Sequence, residues 1–284
     1  MIDRNSPDSF PAAFERTLRL SPFARRTAEA RPSLAQALAA SGATALTRAD
    51  LEAAVAAIPE ADPAALGSAL RELRARVMLT LIHRDLAGLA DLDEVVSTVT
   101  ALAEVAIGSA VRAAHAEQAA VHGEPARGER LLVVGMGKLG GGELNVSSDV
   151  DLVFLHAAEG ETGGARPISH HEFFSRVGKR AIGLVSDVNA EGFVFRVDMR
   201  LRPFGDSGPL VSSLASLENY FIGQARPWER YAWLKGRVLN GPSADVEAIR
   251  RPFVYRRYLD YGLLESLRDL HGRIQAEANR RGRT

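Results

Sequence analysis

The sequence contains no cysteine among its 284 residues and no excess of charge of either sign. The absence of cysteine excludes disulfide bonds and thiolate metal ligands. Because 35 Lys and Arg residues balance 35 Asp and Glu residues, no net field attracts nucleic acid or an anionic membrane surface. A chain of this length is expected to bury a substantial core as one large or two smaller domains.

Long uninterrupted apolar runs are missing as well. None approaches ~20 residues, the length that a membrane-spanning helix needs. The first residues, Met1–Pro11, also lack the apolar core of a secretion signal. We therefore expect a soluble cytoplasmic protein that binds neither membrane nor nucleic acid, and the lack of cysteine is consistent with a reducing compartment.

The first 125 residues are rich in alanine and in signals for the start of a helix. A capping residue followed by proline or an acid recurs at Ser6–Pro7, Thr47–Asp50, Asp62–Pro63 and Asp91–Glu94. Between Asp62 and Leu86, apolar residues recur at three- and four-residue spacing, which is typical of a helix with one face in the core. These residues are Leu66, Leu70, Leu73, Val77 and Leu81.

The pattern changes at Leu131, where short apolar runs predict strands. The predicted strands are Leu131–Met136, Val150–His156, Phe193–Leu201 and Leu210–Val211. A capping box at Ser169–Glu172 predicts a helix between the second and third of them. The sequence thus predicts an α+β protein with a helical region at 1–125, a core at 126–240 and a helical segment at 241–284.

The last predicted helix carries a stripe of apolar residues and ends in a cluster of arginines. Because no terminating domain follows it, we expect the sequence to continue into a remainder that is absent here. The stripe consists of Leu263, Leu267, Leu270, Ile274 and Ala278.

The first predicted strand runs into Gly135–Gly140, which spells the G-x-G-x-x-G of dinucleotide-binding proteins. That motif needs a helix of about ten residues after the glycines, whereas Asn145–Ser148 ends any helix within about a turn. A P-loop does not fit either, because Lys138 is followed by leucine where serine or threonine is needed. The segment is better interpreted as a glycine-rich loop whose backbone amides approach phosphate oxygens.

Two aspartates, Asp149 and Asp151, lie at the start of the second predicted strand. Residues two apart on a strand point to the same face, so their carboxylates repel unless a cation lies between them. Such hard oxygen ligands suit Mg²⁺ or Mn²⁺. The hydroxyls of Ser147 and Ser148 are candidate additional donors. The alternative is a pair of solvated aspartates, because D-x-D is a common pattern.

The third predicted strand alternates apolar residues with charged ones. Its charged face carries Arg196, Asp198, Arg200 and Arg202. Asp198 is positioned by this pattern to complete a three-carboxylate metal site, and Arg200 and Arg202 to bind phosphate in a bidentate manner. The alternative is a solvated edge-strand face with internal salt bridges.

Three segments together resemble the glutamine synthetase adenylyltransferase family. They read GKLGGGELNVSSDVDLVF at 137–154, FRVDMRLRPFGDSGPLV at 195–211 and WERYAWLKGR at 228–237. Members of this family are bifunctional enzymes with two nucleotidyltransferase domains of the DNA-polymerase-β type. The resemblance therefore implies a small mixed sheet flanked by helical regions. Arg196 and the run WERYA are similar to the N-terminal, adenylyl-removing half of the family.

The resemblance implies that AMP is removed from a tyrosine of adenylylated glutamine synthetase, with phosphate as nucleophile and ADP as product. It implies that Asp149, Asp151 and Asp198 are the catalytic carboxylates and bind Mg²⁺, with Mn²⁺ as the alternative. The implied nucleotide- and phosphate-binding residues are Gly137, Lys138, Gly140, Gly141, Ser148, Arg200 and Arg202. The spacing leaves open which of the glycines contact the nucleotide.

Two alternatives follow from the same resemblance. The chain would transfer AMP from ATP to glutamine synthetase, or it would serve as a non-catalytic module that docks the PII signal protein. In the full-length enzyme, PII and the C-terminal adenylyltransferase half are the expected partners. The aromatic residues Trp228, Tyr231, Trp233 and Phe173–Phe174 are interpreted as helix packing rather than as platforms for a base.

Overall fold

The computed structural model describes residues 10–56, 58, 62–126 and 129–255, and the separate positions 268, 272, 275–276 and 279–280. Helices flank a small mixed sheet, which confirms the predicted α+β class. The predicted C-terminal stripe (Leu263, Leu267, Leu270, Ile274 and Ala278) lies outside the described residues. The described helices are α1 (Phe10–Leu20), α2 (Pro22–Ala30), α3 (Pro32–Ala40), α4 (Arg48–Ala56), α5 (Pro63–Leu86), α6 (Leu92–His122), α7 (Gly137–Gly140), α8 (His170–Ser186), α9 (Leu214–Gly223), α10 (Pro227–Trp233) and α11 (Ala244–Val254).

The chain divides into two compact units, each built from separate stretches of sequence. The first unit comprises the described residues of 1–113, 142–148 and 182–196, and the second comprises those of 114–141, 149–181 and 197–284. The linear division predicted at 1–125, 126–240 and 241–284 stays a prediction, since it groups residues by expected role rather than by contact.

Helices α4 and α5 of the first unit begin where the sequence predicts, whereas the predicted start at Ser6–Pro7 lies outside the described residues. Asp62 accepts a hydrogen bond from the backbone N–H of Ala65 at 2.9 Å and thereby caps α5. At the start of α4, the Asp50 carboxylate accepts from the backbone N–H of Thr47 at 2.8 Å. The predicted apolar stripe of α5 is buried throughout, from Leu66 to Leu81. These caps and this stripe are local features, and local physics is enough to form them.

A small core holds the N-terminal helices of the first unit against α5. Its buried members come from α2, α3, the turn after α3, and α5, with side chains of α1 packed against them. The buried residues are Ala24, Leu34, Leu38, Ala43, Ala75 and Leu79. The ring of His83 lies beside this core and meets the stacked rings of Phe10 and Phe14 edge-on, at centroid distances of 5.1 and 5.5 Å.

The sheet belongs to the second unit and has five strands among the described residues. They are β1 (Leu132–Gly135), β2 (Val150–His156), β3 (Val197–Asp198), β4 (Val211–Ser213) and β5 (Arg237–Val238). One edge of β2 pairs with β1 in antiparallel fashion. Along its other edge it pairs with β3 at its start and with β4 at its end, both in parallel. The parallel register places the two residues of β3 beside the first two residues of β2.

The third predicted strand is wrong over most of its length. Only Val197–Asp198 of the predicted Phe193–Leu201 forms a strand. Val194 and Phe195 are both buried, although they are consecutive, and both backbone N–H groups donate to the carbonyl of Val185. The predicted alternation of faces therefore fails before Val197, because tertiary hydrogen bonds override the local pattern. The strand β5 was not predicted.

Helices cover both faces of the sheet within the second unit. On one face, Val134 and Val153 pack with residues of α9, α10 and α11 in a single core cluster. On the other face, Phe154 packs so closely on α8 that a Cβ built at Gly178 would lie 2.8 Å from its ring. Packing on both faces thus supports the sheet, in which the start of β2 is paired with β3.

Helix α6 is the one described helix that is long and apolar enough to cross a membrane by length and composition alone. Of its most apolar window, 67% is buried inside the protein. The core helices of soluble proteins can be equally long and apolar, and a window that is mostly buried is typical of them.

Replacing Gly140 with alanine is expected to destabilise the second unit. The added Cβ would lie 1.9 Å from the carbonyl oxygen of Lys235, which is a backbone atom that cannot turn aside. We expect the free energy of unfolding to fall by about 3 kcal/mol. Urea unfolding followed by tryptophan fluorescence measures this unit selectively, because Trp228 and Trp233 are the protein's two tryptophans and both belong to it.

The matched control is Gly223→Ala at the end of α9. A Cβ built there meets nothing within 4 Å, so the change should stay within about 0.5 kcal/mol. Equal urea midpoints for the two variants would contradict the close packing described at Gly140.

Acid is expected to destabilise the first unit through His83. Burial, followed by the charges of Arg84 and Arg16, lowers the pKa of His83 below its ordinary 6.5. The unfolded chain therefore takes up a proton as the pH falls through about 6.5, while the folded chain does not, and stability is lost at up to about 1.4 kcal/mol per pH unit.

The variant His83→Leu should lose less stability between about pH 7 and about pH 5.5 than the unaltered chain. Urea midpoints followed by far-ultraviolet circular dichroism at the two pH values measure the difference. An identical loss of stability in both proteins would show that protonation of His83 does not contribute to the destabilisation by acid.

Candidate active site

Two of the predicted aspartates lie side by side in the sheet of the second unit. The parallel register of β2 and β3 pairs Val150 with Val197 and Asp151 with Asp198. Residues paired across parallel strands point to the same face. Asp149, one residue before β2, points to that face by its spacing of two from Asp151. The fold thus brings together carboxylates that are almost fifty residues apart in sequence.

The electrostatics of these carboxylates are unequal. Asp151 is half-buried, and its pKa is raised by that burial first and then by the charges of Asp198 and Asp149, with Arg200 acting in the opposite direction. The pKa of Asp198 is lowered instead, chiefly by its hydrogen bond with Arg200. The negative charge of Asp198 is therefore compensated by Arg200, whereas the charged form of Asp151 is disfavoured.

Arg200 holds Asp198 through a forked contact. Its Nε lies 3.0 and 2.9 Å from the two carboxylate oxygens of Asp198, and its Nη2 lies 2.5 Å from Oδ2. The backbone N–H of Arg200 also donates to Oδ1 at 2.8 Å. The side chain of Arg200 is nevertheless 74% exposed, so its remaining N–H groups face solvent at the site.

Arg202, the second predicted phosphate-binding arginine, is enclosed by its own loop. Its Nη1 donates to the carbonyl of Met199 at 2.8 Å and lies 3.5 Å from a carboxylate oxygen of Asp206. Its side chain is 13% exposed. In this structure Arg202 stabilises the turn that follows β3, whereas Arg200 lies at the carboxylates.

The glycine-rich segment lies directly against Asp151. After β1, Gly137 has a φ of +54°, and a Cβ there would lie 2.9 Å from Oδ2 of Asp151. Met136 donates its backbone N–H to the carbonyl of Asp151 at 2.9 Å. Gly137 therefore has two reasons to be glycine: a left-handed backbone and the closeness of a carboxylate.

The other predicted phosphate-binding residues of this loop have separate roles. Gly140 packs its backbone onto that of Lys235, and Gly141 caps the single turn of α7. Lys138 is exposed on that turn. Arg237 of β5 donates to the carbonyl of Gly140 at 3.0 Å and to that of Leu139 at 3.1 Å.

Sequence reasoning assigned no role to Arg237. Its place in the WERYAWLKGR motif was the available signal, but a strand two residues long has no periodicity that would reveal it.

Ser148 belongs to the first unit, although it is the chain neighbour of Asp149. Its hydroxyl donates to Oδ1 of Asn145 at 2.8 Å, and Asn145 Oδ1 also accepts from the backbone N–H of Ser147 at 3.2 Å. These bonds close the turn that leads into β2.

The aromatic residues divide into two groups. Trp233, Phe173 and Phe174 are buried, as expected for helix packing. The same interpretation is wrong for Trp228 and Tyr231, which are 40% and 53% exposed. Both lie on the outer side of α10, a short helix whose inner side alone reaches the core, and sequence spacing over seven residues cannot tell the two sides apart.

The donor set at the aspartates suits a hard divalent cation, since all three side chains offer carboxylate oxygens. Among the residues that the structure describes, no three His, Cys, Asp or Glu side chains are grouped closely enough to hold a metal ion as they stand. In this structure the Asp198 carboxylate is occupied by Arg200. The three carboxylates fit such an ion by the chemistry of their oxygen donors.

The family model described as glutamate-ammonia ligase adenylyltransferase matches residues 13–250. A bifunctional glutamine synthetase adenylyltransferase/adenylyl-removing enzyme of Burkholderia mallei is 52% identical over 93% of this chain and 31% of its own length. Proteins of the same name from Chromobacterium violaceum and Bordetella pertussis are 50% and 54% identical, over 97% and 75% of this chain and 31% and 24% of their own lengths.

The chain thus spans about a third or less of the length of these relatives. Their names describe whole proteins with two activities, a glutamine synthetase adenylyltransferase and an adenylyl-removing enzyme. The match extends from α1 to α11 and includes the three motifs that carry the resemblance. It confirms the family expected from the sequence, and the chain belongs to the glutamate-ammonia ligase adenylyltransferase family.

Proposed function

We propose that this chain removes AMP from adenylylated glutamine synthetase by phosphorolysis. The observation that carries the proposal is the parallel register of β2 and β3, which places the carboxylates of Asp151 and Asp198 together. A half-buried carboxylate with two others beside it is characteristic of a site that handles anionic phosphate groups with a cation.

Removal rather than transfer is favoured by the sequence around the site. Arg196 and the run Trp228–Ala232 are similar to the adenylyl-removing half of the family, and the names of the relatives include an adenylyl-removing activity. The substrate is the class that these names state, glutamine synthetase carrying an adenylyl group.

In the reaction, a phosphate oxygen attacks the phosphorus of the adenylyl group, and the bond from that phosphorus to the tyrosine oxygen breaks. ADP forms, and the tyrosine oxygen leaves with the bonding electrons and takes up a proton. Phosphate is already anionic at neutral pH, so a dedicated general base is less needed than for an alcohol nucleophile. The main barrier is repulsion between an anionic nucleophile and an anionic diester.

The chain's own groups lower this repulsion by charge and position. Arg200 offers exposed N–H groups beside Asp198, and a guanidinium binds phosphate oxygens in a fork. The backbone turn at Gly137 brings main-chain amides close to Asp151 without a side chain in the way. Asp149, Asp151 and Asp198 would hold Mg²⁺ or Mn²⁺, which when bound supplies neutralisation of the phosphate charge.

The direction of the reaction is tested with two substrates. The chain is incubated with adenylylated glutamine synthetase and phosphate, and separately with unmodified synthetase and ATP. We expect ADP release and loss of one AMP mass in the first case and no mass gain in the second. A mass gain of one AMP in the second case, without release in the first, would establish adenylyl transfer instead.

Removing the charge of Asp149 or Asp198 is expected to abolish most of the activity. Asp149→Asn and Asp198→Asn should each lower the rate of phosphate-dependent ADP release by at least about 100-fold, because each removes one of the anionic groups that hold a cation at the reacting phosphate. The rate is followed by a coupled assay for ADP.

The matched control is Asp245→Asn, an exposed aspartate in the first turn of α11 of the same unit. It should keep the rate of the unaltered chain within about two-fold. Unchanged rates in both Asp149→Asn and Asp198→Asn would exclude the proposed site.

Gly137→Ala is expected to lower activity by more than its effect on stability explains. The added methyl group would press on Oδ2 of Asp151, and the left-handed backbone adds about 1 kcal/mol of strain. Gly142→Ala is the matched control, because its φ of +73° imposes the same strain but nothing lies within 4 Å of its Cβ.

We expect both variants to melt at similar temperatures and only Gly137→Ala to lose activity, by about ten-fold or more. Activity and thermal unfolding are measured on the same preparations. Equal activity in the two variants would show that the closeness of Gly137 to Asp151 has no catalytic consequence.

A further inference from the structure

A cavity of about 650 Å³ lies wholly within the first unit. Its wall is formed by the junction of α1 and α2, one side of α5, and the segments 146–148 and 193–196. The volume is in the range of pockets that bind small organic molecules. None of these residues lies in the sheet of the second unit.

The cavity is rich in arginine. Arg26, Arg74 and Arg196 line it, against the single acidic residue Asp85. Ser21, Ser147 and Ser148 also line it, and the rest of the lining is mostly apolar. A wall of this kind suits a molecule that has an anionic end and an apolar body.

Arg74 has an unsatisfied buried nitrogen at the wall of this cavity. Its Nε is buried and has no hydrogen-bond partner, and within the described part of the chain Arg74 is in no ion pair. Its guanidinium lies instead over the rings of Phe23 and Phe193, at 5.7 and 5.1 Å from their centroids. Burial, and then the like charge of Arg196, lower its pKa. The protein thus keeps a poorly compensated cation at the wall of a cavity.

The phenyl rings of Phe23 and Phe193 indicate the kind of ligand that the cavity can bind. The Arg74 guanidinium lies over each of them, so flat aromatic and cationic surfaces meet in one part of the wall. A nucleobase stacks on such surfaces, and arginine and serine side chains bind phosphate oxygens. A nucleoside phosphate satisfies both parts of the wall, whereas free phosphate would leave the apolar part empty.

We infer that the cavity of the first unit is a binding pocket for a nucleoside phosphate, with the base against the Phe23, Phe193 and Arg74 surface and the phosphate at the arginines and serines. The pocket goes beyond the proposed phosphorolysis, because it is built from first-unit residues alone. Ser148 is bonded to Asp149, and Arg196 is two residues from Asp198, so the chain itself links the pocket to the aspartates.

Calorimetric titration of the full chain with ADP tests the pocket. A chelator is present throughout, which suppresses metal-dependent binding at the aspartates. We expect ADP to bind, and adenosine and inorganic phosphate each to bind at least ten-fold more weakly. No binding of ADP, or binding of inorganic phosphate as tight as that of ADP, would overturn the inference.

Three variants locate the binding. Arg74→Met keeps the length of the side chain but removes its charge, and should weaken ADP binding at least ten-fold. Phe193→Leu should weaken binding of ADP but not of inorganic phosphate. Arg76→Met, at an exposed position of the same helix, is the matched control and should leave ADP binding unchanged. Equal affinities for Arg74→Met and Arg76→Met would place ADP elsewhere.

A photoreactive 8-azido-ADP tests the same point on the unaltered chain, where no variant has to fold. Labelled peptides that contain Phe23 or Phe193 are the expected result, and labelling confined to 131–141 and 198–213 would overturn the inference. The variant Asp149→Asn should bind ADP under chelation as the unaltered chain does. Loss of phosphorolysis in that variant with ADP binding retained separates the two proposals.

Discussion

Repulsion between the carboxylates of Asp151 and Asp198 is the constraint around which the second unit is arranged. The parallel register of β2 and β3 puts them on one face, and the partial burial of Asp151 makes their repulsion more costly than it would be in water. Two features of the chain accommodate this repulsion. Arg200 compensates Asp198, and the loop after β1 gives Asp151 space by having glycine at Gly137.

The rigidity of the sheet follows from what surrounds it. Helices α9 to α11 pack on one face and α8 on the other, and Gly178 admits the ring of Phe154. Arg237 ties the turn of α7 to β5 through two carbonyl oxygens. A site that must hold like charges together needs such a scaffold, because a flexible one would let the carboxylates move apart.

The cavity of the first unit has the opposite local composition. Three arginines and one acidic residue line it, and the guanidinium of Arg74 lies over aromatic rings. The sheet of the second unit thus groups three acidic side chains and the cavity of the first unit groups three basic ones, in a chain whose formal net charge is zero. Both imbalances suit phosphate chemistry, the first through a cation and the second directly.

The sequence by itself determined what depends on neighbours along the chain: the caps of α4 and α5, the buried stripe of α5, the strand β2 and the three motifs of the family. Tertiary structure alone decided the pairing of Asp151 with Asp198, the shortening of the third strand to Val197–Asp198 and the exposure of Trp228. The reason is physical. Caps and helical stripes arise from contacts a few residues apart, whereas strand register and burial depend on partners far away in sequence, which no local pattern encodes.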